Sequence, residues 1–432
     1  MKRMSTVELQ IAERARKFKG EALHSLYNFI DAPLLQESYD QLNKKSAGGI
    51  DGKTWLQYGL EFPERRNSLL EEFKSGRYRA PAIRRVYIRK DKHSQRPLGI
   101  PTIEDKVLQA SVRKVIEPIY EEDFKPFSYG FRPGRSQHQA IEFMFQKVSF
   151  EKMHYIIDAD IKNYFGSINH GILREFLDKR VKDGVIRRMI DKWLKAGTME
   201  SGNISYPDHG TQQGSVISPI LSNIYLHYVL DEWFSEQIQP LLKGKSFIVR
   251  YADDFILGFT DKSDAERVME VLPKRFAKYE LTLHPEKTKL IDLNSKRGGT
   301  GRSFDFLGFT HYLGKSRNGS KVLKRKTSSK SMTKAVVSLS EFIKQNRHMK
   351  LNELISAINV KLRGHYSYYG YTFNFRGISR FYELICRSLF KWLNRRGGKP
   401  VLEWDRFTQI VNTWVPLIKP SIHHSYGPSL RN

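Results

Sequence analysis

The sequence predicts an α+β fold: helical stretches at both ends of the chain, and between them a region where strands alternate with helices. Three observations carry this. Apolar strand patterns, among them HYIIDAD and FIVRYADDFILGF, fall between Tyr155 and Phe259 and are separated by helical periodicity. Helical patterns fill residues 1–75 and return beyond residue 313. The chain has 432 residues, 40% of them hydrophobic, which is ample for a real core spread over two or three domains.

Taken in order, VELQIAERARKF and PLLQESYDQLNKK read as helices. A glycine turn, Ala47-Gly48-Gly49, precedes a further helix in RRNSLLEEFKSG. Between Tyr78 and Ile100, IRRVYIRK alternates, DKHSQ forms a polar turn and RPLGIP returns, which predicts a basic two-stranded hairpin. Residues 105–121 are helical again. After residue 312 the composition shifts: GKSRNGSKVLKRKTSSK is polar, basic and turn-rich, and reads as a linker or basic loop. SMTKAVVSLSEFIKQN, LNELISAINVKLRGHYSYYG and ISRFYELICRSLFKWLNRR then read as helices. The expected domains are 1–75, 76–312 and 313–432.

The charge narrows the partners. Lys and Arg number 73 against 46 Asp and Glu, a net charge of +27. So large a surplus repels itself unless a polyanion neutralises it, and nucleic acid comes before an acidic membrane surface. Residues 301–432 carry 24 of the basic residues and only 6 acidic ones. There the basic residues are interleaved with Tyr366, Tyr368, Tyr369, Tyr371, Phe373 and Phe375, the mixture that grips a phosphate backbone and stacks on bases. No run of 18 apolar residues exists and the N-terminus has no apolar signal core, so the expectation is a cytoplasmic protein without a membrane partner. The single cysteine, Cys386, excludes disulfide scaffolds and zinc modules built on paired cysteines.

Chemistry concentrates in the central region. In FIVRYADDFILGF two apolar strands flank Asp253 and Asp254, adjacent carboxylates whose repulsion a divalent cation would relieve. In HYIIDADIKNYFGSI a strand delivers Asp158 and Asp160 to one face. Oxygen ligands on two neighbouring strands suit a pair of hard cations, the arrangement used in nucleotidyl transfer. Spacing alone does not choose between Asp158 and Asp160.

The chain resembles group II intron reverse transcriptase/maturases. The resemblance rests on seven blocks in order: RRVYIRKDKHSQRPLGIPTIEDKVLQ, EPIYEEDFKPFSYGFRPGRSQHQA, DADIKNYFGSINH, GTQQGSVISPILSNIYL, RYADDFILGF, LTLHPEKTKL and FDFLGF. KLRGHYSYYG and FKWLNRR resemble the family's thumb, or maturase (X) domain. The resemblance implies a right-hand polymerase with fingers, palm and thumb, in which 313–432 is the helical thumb/maturase domain. It selects Asp160 over Asp158. With Asp253, Asp254 and the Ile161 carbonyl, Asp160 would hold two Mg2+ ions, with Mn2+ as a substitute. It implies that Phe165 is a steric gate against ribonucleotides. Lys90 and Arg96 would hold the incoming triphosphate, Gln213 would lie near the nascent base pair, and Lys287 near the leaving pyrophosphate. Arg132 would contact template backbone or brace the fingers. The basic cluster Lys324, Arg325 and Lys326 would bind nucleic acid.

The implied partners are intron RNA, an RNA template with a DNA or RNA primer, and dNTPs. Two positions depart from the family pattern: Gln212 stands where proline is usual, and Gly166 where aspartate is frequent. The expected type lacks the family's cysteine-bearing endonuclease. Rival readings are a splicing cofactor with incidental polymerase activity, a relative recruited to phage defence or a CRISPR system, and an RNA-dependent RNA polymerase.

Overall fold

Ser5 and Thr54 each accept from the backbone N–H three residues on, while Glu8 and Gln57 bond back to the cap, so two of the N-terminal helices start on full capping boxes. The computed structural model describes residues 5–89, 95–200, 203–206, 208–295, 302–316, 318–397 and 402–425. The chain forms two units, Met1–Phe143 with Ile156–Leu290, and Met144–Tyr155 with Ile291–Asn432.

In the first unit, helices α1 (Thr6–Lys17), α2 (Ala32–Asp40) and α3 (Trp55–Ser75) precede strands β1 (Ile83–Arg89) and β2 (Gln95–Ile100). The predicted hairpin is present, with Arg84 opposite Ile100 and Ile88 opposite Arg96. Helix α4 (Ile103–Asp123) follows, buried along most of its length, and α1, α2 and α3 pack against it. Next come α5 (Gln137–Phe150), β3 (Tyr155–Asp160), α6 (Tyr164–Ser167), α7 (His170–Asp178) and α8 (Gly184–Leu194). A short hairpin, β4 (Thr198–Glu200) and β5 (Asn203–Ser205), extends the first sheet to the order β2-β1-β4-β5. Helix α9 (Ser218–Leu226) continues into π-helical turns, His227–Asp231 and Trp233–Ile238. Strands β6 (Ser246–Tyr251) and β7 (Asp254–Phe259) then pair antiparallel, and α10 (Lys262–Ala277) follows. The second sheet runs β6-β7-β3-β8, with β8 at Lys289–Asp292.

The second unit holds a three-stranded sheet of β9 (Ser303–Phe306), β10 (Phe309–Lys315) and β11 (Lys321–Thr327), followed by helices α11 (Ser329–Gln345), α12 (Leu351–Tyr369), α13 (Phe375–Leu393) and α14 (Trp404–Gln409). Leu354, Ile358 and Leu362 on α12 recur at helical spacing, as do Ile378, Phe381, Ile385 and Leu389 on α13, and these stripes form one core with Leu339 and Ile343 of α11. Cys386 is buried at that core's edge, where burial raises its thiol pKa.

Three expectations are corrected here. The stretch read as a linker or basic loop holds two strands: the end of β10, up to Lys315, and β11, Lys321–Thr327, pair antiparallel, with Tyr312 opposite Lys324 and Lys315 opposite Lys321. The expected boundary at 312 therefore falls inside a strand, and residues 1–75 share a unit with the region that follows them. The C-terminal aromatics divide between core and surface. Tyr366 and Tyr371 are core, Tyr368 donates its hydroxyl to the Leu307 carbonyl, and Phe375 stands exposed.

Candidate active site

The β6–β7 hairpin turns through Ala252 and Asp253, and Tyr251 pairs with Asp254 across the turn. Ala252 has φ +58°, a left-handed conformation that costs energy in a residue with a Cβ. Buried polar groups hold it there. The Arg250 guanidinium donates to the Ala252 carbonyl at 3.0 Å, to Asn223 Oδ1 at 2.9 Å, and to both oxygens of Asp231 at 2.8 and 2.5 Å. Asn223 Nδ2 donates in turn to the Gly130 carbonyl at 2.8 Å. Gly130 is required by close approach, because a Cβ there would lie 2.1 Å from the Ala252 nitrogen. Arg250 and Asp231 were not singled out from sequence. A charged residue inside an apolar strand, as in FIVRY, is the signal that could have found the first of them.

Strand β3 alternates as expected, with Ile157 and Ala159 buried and Asp158 and Asp160 half-buried on the other face. Beyond it, His284 N–H donates to the Asp160 carbonyl at 2.7 Å and Lys162 N–H to the Thr282 carbonyl at 2.8 Å. These bonds flank Ile161 and Leu283, so the Ile161 carbonyl points away from this ladder. The turn after His284 brings Lys287 back, and its ammonium sits 2.5 Å from Asp160 Oδ2. Asp253, half-buried, has its carboxyl pushed up, first by burial and then by the charge of Asp160; Arg96 and Arg250 oppose the shift. The charges of Asp160 and Arg96 therefore both reach Asp253.

Among the described residues no three His, Cys, Asp or Glu side chains are drawn together as a closed metal cage. The donor set nevertheless fits hard cations. Asp160 already binds a cation, the Lys287 ammonium, and Asp253 is a desolvated carboxylate whose neighbouring negative charge calls for neutralisation.

Asn163, at φ +46°, turns the chain into α6. Tyr164 points into the core and its hydroxyl donates to the Ser222 carbonyl at 2.5 Å, whereas Phe165 is half-exposed. The Phe165 carbonyl accepts from Thr211 N–H at 2.7 Å, which ties this turn to the Gln213 segment. Gly166 closes a turn on the Asn163 carbonyl, and a Cβ there would meet Asn163 Nδ2 at 2.4 Å. Gln212 donates to Thr198 Oγ1 at 2.9 Å, so an amide bond does the anchoring here where the family usually has proline. The Gln213 carbonyl accepts from Gly99 N–H at 2.6 Å, while its side-chain oxygen is buried with no hydrogen-bond partner among the described residues.

The remaining expected residues separate. Lys90 lies outside the described residues. Arg132, expected either to contact template backbone or to brace the fingers, is buried, pairs with Glu121 at 2.9 Å and donates to the Lys125 and Ser128 carbonyls at 2.8 Å, contacts that brace its own loop. Arg325 is corrected. Strand alternation turns it inward, fully buried, with its guanidinium 4.5 Å from the Tyr371 ring centre, while Lys324 and Lys326 face outward.

Residues 88–311 match the family described as reverse transcriptase (RNA-dependent DNA polymerase), and residues 330–407 match the group II intron maturase-specific domain. This chain belongs to the group II intron reverse transcriptase/maturases. Protein YkfC of Escherichia coli (strain K12) is 34% identical over 358 residues, 73% of this chain and 90% of that protein. Group II intron-encoded protein LtrA of Lactococcus lactis subsp. cremoris is 28% identical over 472 residues, 90% of this chain and 78% of that one. An uncharacterized 91 kDa protein in the cob intron of Schizosaccharomyces pombe is 39% identical over 184 residues, 43% of this chain and 22% of its own length. The reverse transcriptase/maturase is thus an RNA-directed DNA polymerase with a role in intron splicing, on a right-hand polymerase fold of mixed helix and sheet. Polymerases of this family use divalent metal ions. None of its described helices is long and apolar enough to cross a membrane.

Proposed function

We propose that Asp160, Asp253 and Asp254, with the Ile161 carbonyl, form the metal site at which a primer 3′-oxygen attacks the α-phosphate of a dNTP and pyrophosphate leaves. Two magnesium ions held there, with Mn2+ as a substitute, would neutralise charge on the attacking and leaving oxygens. The observation that carries this reading is geometric: Asp160 ends β3, Asp253 and Asp254 sit at the β6–β7 turn, and β7 lies beside β3 in one sheet. In this reading β1 and β2 belong to the fingers, the β6-β7-β3 sheet to the palm, and α11 to α13 to the thumb/maturase domain.

Each remaining group has a defined task. Arg96 offers fixed donors to the triphosphate. Lys287 keeps a proton beside Asp160, where it can pass to the departing pyrophosphate. The exposed edge of Phe165 crowds a ribose 2′-hydroxyl. Gln213, whose side-chain oxygen has no hydrogen-bond partner among the described residues, would lie near the nascent base pair. The outward Lys324 and Lys326 meet phosphates of the template, the primer or the intron RNA.

The maturase-domain match at 330–407 supports a second task, binding the intron RNA and stabilising its active fold. That task is binding energy linked to RNA folding and needs none of the three aspartates. The test is a splicing assay run beside primer extension. An Asp253→Ala/Asp254→Ala variant should make no cDNA while still assisting splicing at low magnesium. Loss of splicing with intact RNA affinity would sink the independence of the two tasks, and retained cDNA synthesis would sink the metal site.

A further inference from the structure

Helix α4 carries a buried polar chain that no step above uses. Asp105 and Gln109 lie one turn apart on the same face, and both are fully buried. Asp105 Oδ1 accepts from Trp193 Nε1 at 2.7 Å and from the Tyr78 hydroxyl at 3.3 Å, and Oδ2 accepts from Gln109 Nε2 at 2.9 Å. Gln109 Oε1 then accepts from Ser215 Oγ at 2.8 Å and from the Val216 N–H at 2.9 Å. Val216 N–H can only donate and the Asp105 carboxylate can accept three times, so the direction of the Gln109 amide has one solution.

The far end of this chain is the loop that carries Gln213. That loop is anchored at two further points, Gln212 on Thr198 and the Gln213 carbonyl on Gly99 N–H. Gly214, at φ +106°, lies so close to Gly99 that a Cβ would meet the Gly99 carbonyl oxygen at 2.5 Å. The loop is therefore held on Thr198 just before Gln213, on Gly99 at Gln213 and Gly214, and on Gln109 just after them.

We infer that Asp105 and Gln109 are positioning residues for dNTP recognition: Asp105 sets the polarity of the Gln109 amide, and Gln109 holds the Gln213–Val216 loop in the geometry that selects the incoming nucleotide. The inference rests on the reading that Gln213 lies at the nascent base pair. Neither residue touches substrate. A buried chain whose donors and acceptors are all matched is rigid, and one reversed group leaves a buried donor facing a donor. Asp105→Asn forces such a conflict, since its amide must either abandon Gln109 or point a donor at Trp193. Gln109→Glu sets two carboxylates against each other. The swap Asp105→Asn/Gln109→Glu matches every group again: the new amide oxygen accepts from Trp193 and Tyr78, its NH2 donates to the new carboxylate, and that carboxylate accepts from Ser215 and Val216.

The experiment measures dNTP KM, kcat and misincorporation on one primer–template for Asp105→Asn, Gln109→Glu, the swap, Gln213→Ala, and Gln109→Glu combined with Gln213→Ala. Each relay single should raise dNTP KM about tenfold and increase misincorporation, with kcat changed about threefold at most. The swap should return KM to within about threefold of the parent, and the combined variant should be no worse than Gln213→Ala alone. Where a relay single fails to fold, Ser215→Ala removes one donor at the loop end and should raise KM about threefold. Folded relay variants with unchanged dNTP KM and fidelity, beside a Gln213→Ala that alters both, would overturn the inference and leave the Gln213 reading intact. A silent Gln213→Ala would overturn the Gln213 reading itself and with it the inference built on it. Additive effects in the combined variant would show that Gln109 acts through something other than Gln213, and would overturn it as well.

Discussion

Arg250 and Asp231 face each other as a two-pronged ion pair, at 2.8 and 2.5 Å, with neither side chain exposed to solvent. The same guanidinium reaches Asn223 and the Ala252 carbonyl, so the pair is also the clamp on the strained turn that presents Asp253. Removing one member of a buried pair leaves an uncompensated charge, at a cost of about 3–5 kcal/mol. Asp231→Asn should therefore lower stability in urea unfolding by that order, Arg250→Lys should lower it by less because the charge is kept, and both should abolish primer extension. Lysine cannot replace the fork, because one ammonium does not span Asp231, Asn223 and Ala252 together. Full activity in a stable Arg250→Lys enzyme would separate the clamp from catalysis.

Asp253→Asn should move activity and stability in opposite directions. Its carboxyl is pushed up by burial and by Asp160, so the fold disfavours the ionised form. The amide should raise the melting temperature while DNA synthesis falls by at least about 10³-fold. RNA affinity should hold. A variant that loses both stability and activity would point to a structural role for Asp253.

Phe165 and Tyr164 are adjacent rings with separate fates, and their variants should separate too. Phe165→Val should raise ribonucleotide incorporation relative to dNTP, because space opens beside the sugar. Tyr164→Phe removes the hydroxyl that donates to the Ser222 carbonyl, and should cost about 1 kcal/mol of stability with sugar selectivity unchanged. Competition between dNTP and NTP on one template reads both outcomes. Altered selectivity in Tyr164→Phe and none in Phe165→Val would reverse the assignment.

The C-terminal unit should be acid-labile. Burial, together with Arg325, holds His311 at about 3, and burial holds His365 at about 4, against an ordinary histidine value near 6.5. Both are neutral in the fold, so below about pH 6.5 the unfolded chain takes up protons that the native state refuses. Stability should fall as the pH drops from about 6.5 to about 4, by up to about 1.4 kcal/mol per pH unit for each histidine. Replacing His365 by Gln should flatten this slope in a series of melting curves. An unchanged slope in that variant would show that His365 titrates normally in the fold.

Strand β11 should divide its three basic residues by face. Lys324→Gln and Lys326→Gln should each weaken RNA binding and reduce the slope of log affinity against log salt by about 0.7–0.9, with little loss of stability. Arg325→Gln should instead destabilise the unit, since its guanidinium is buried against the Tyr371 and Phe145 rings. Truncation at residue 312 would cut β10 in half, so a test of the C-terminal charge belongs on these point variants. Salt slopes unchanged from the parent in both lysine variants would show that β11 does not meet RNA.

Local pattern was enough for much of this protein. The helices α11, α12 and α13 are legible because their apolar stripes repeat every three to four residues, and the β1–β2 and β6–β7 hairpins because alternation and a polar turn are short-range signals. The paired aspartates on apolar strands were legible as a candidate metal site for the same reason, and the order of seven blocks pointed to the family. Burial and choice of partner were not legible, because they depend on residues far away along the chain. Lys324, Arg325 and Lys326 look alike in sequence, and only packing on β11 decides that the middle one is core. Polarity placed β10 and β11 in a linker because their apolar partners lie elsewhere. Sequence leaves Arg132 between a template contact and a brace of the fingers, and only the fold shows Glu121 and two carbonyls taking up its donors. Lys287 meets Asp160 across 127 positions and Gln109 meets Ser215 across 106, contacts that exist only once the sheet and helix α4 have been assembled.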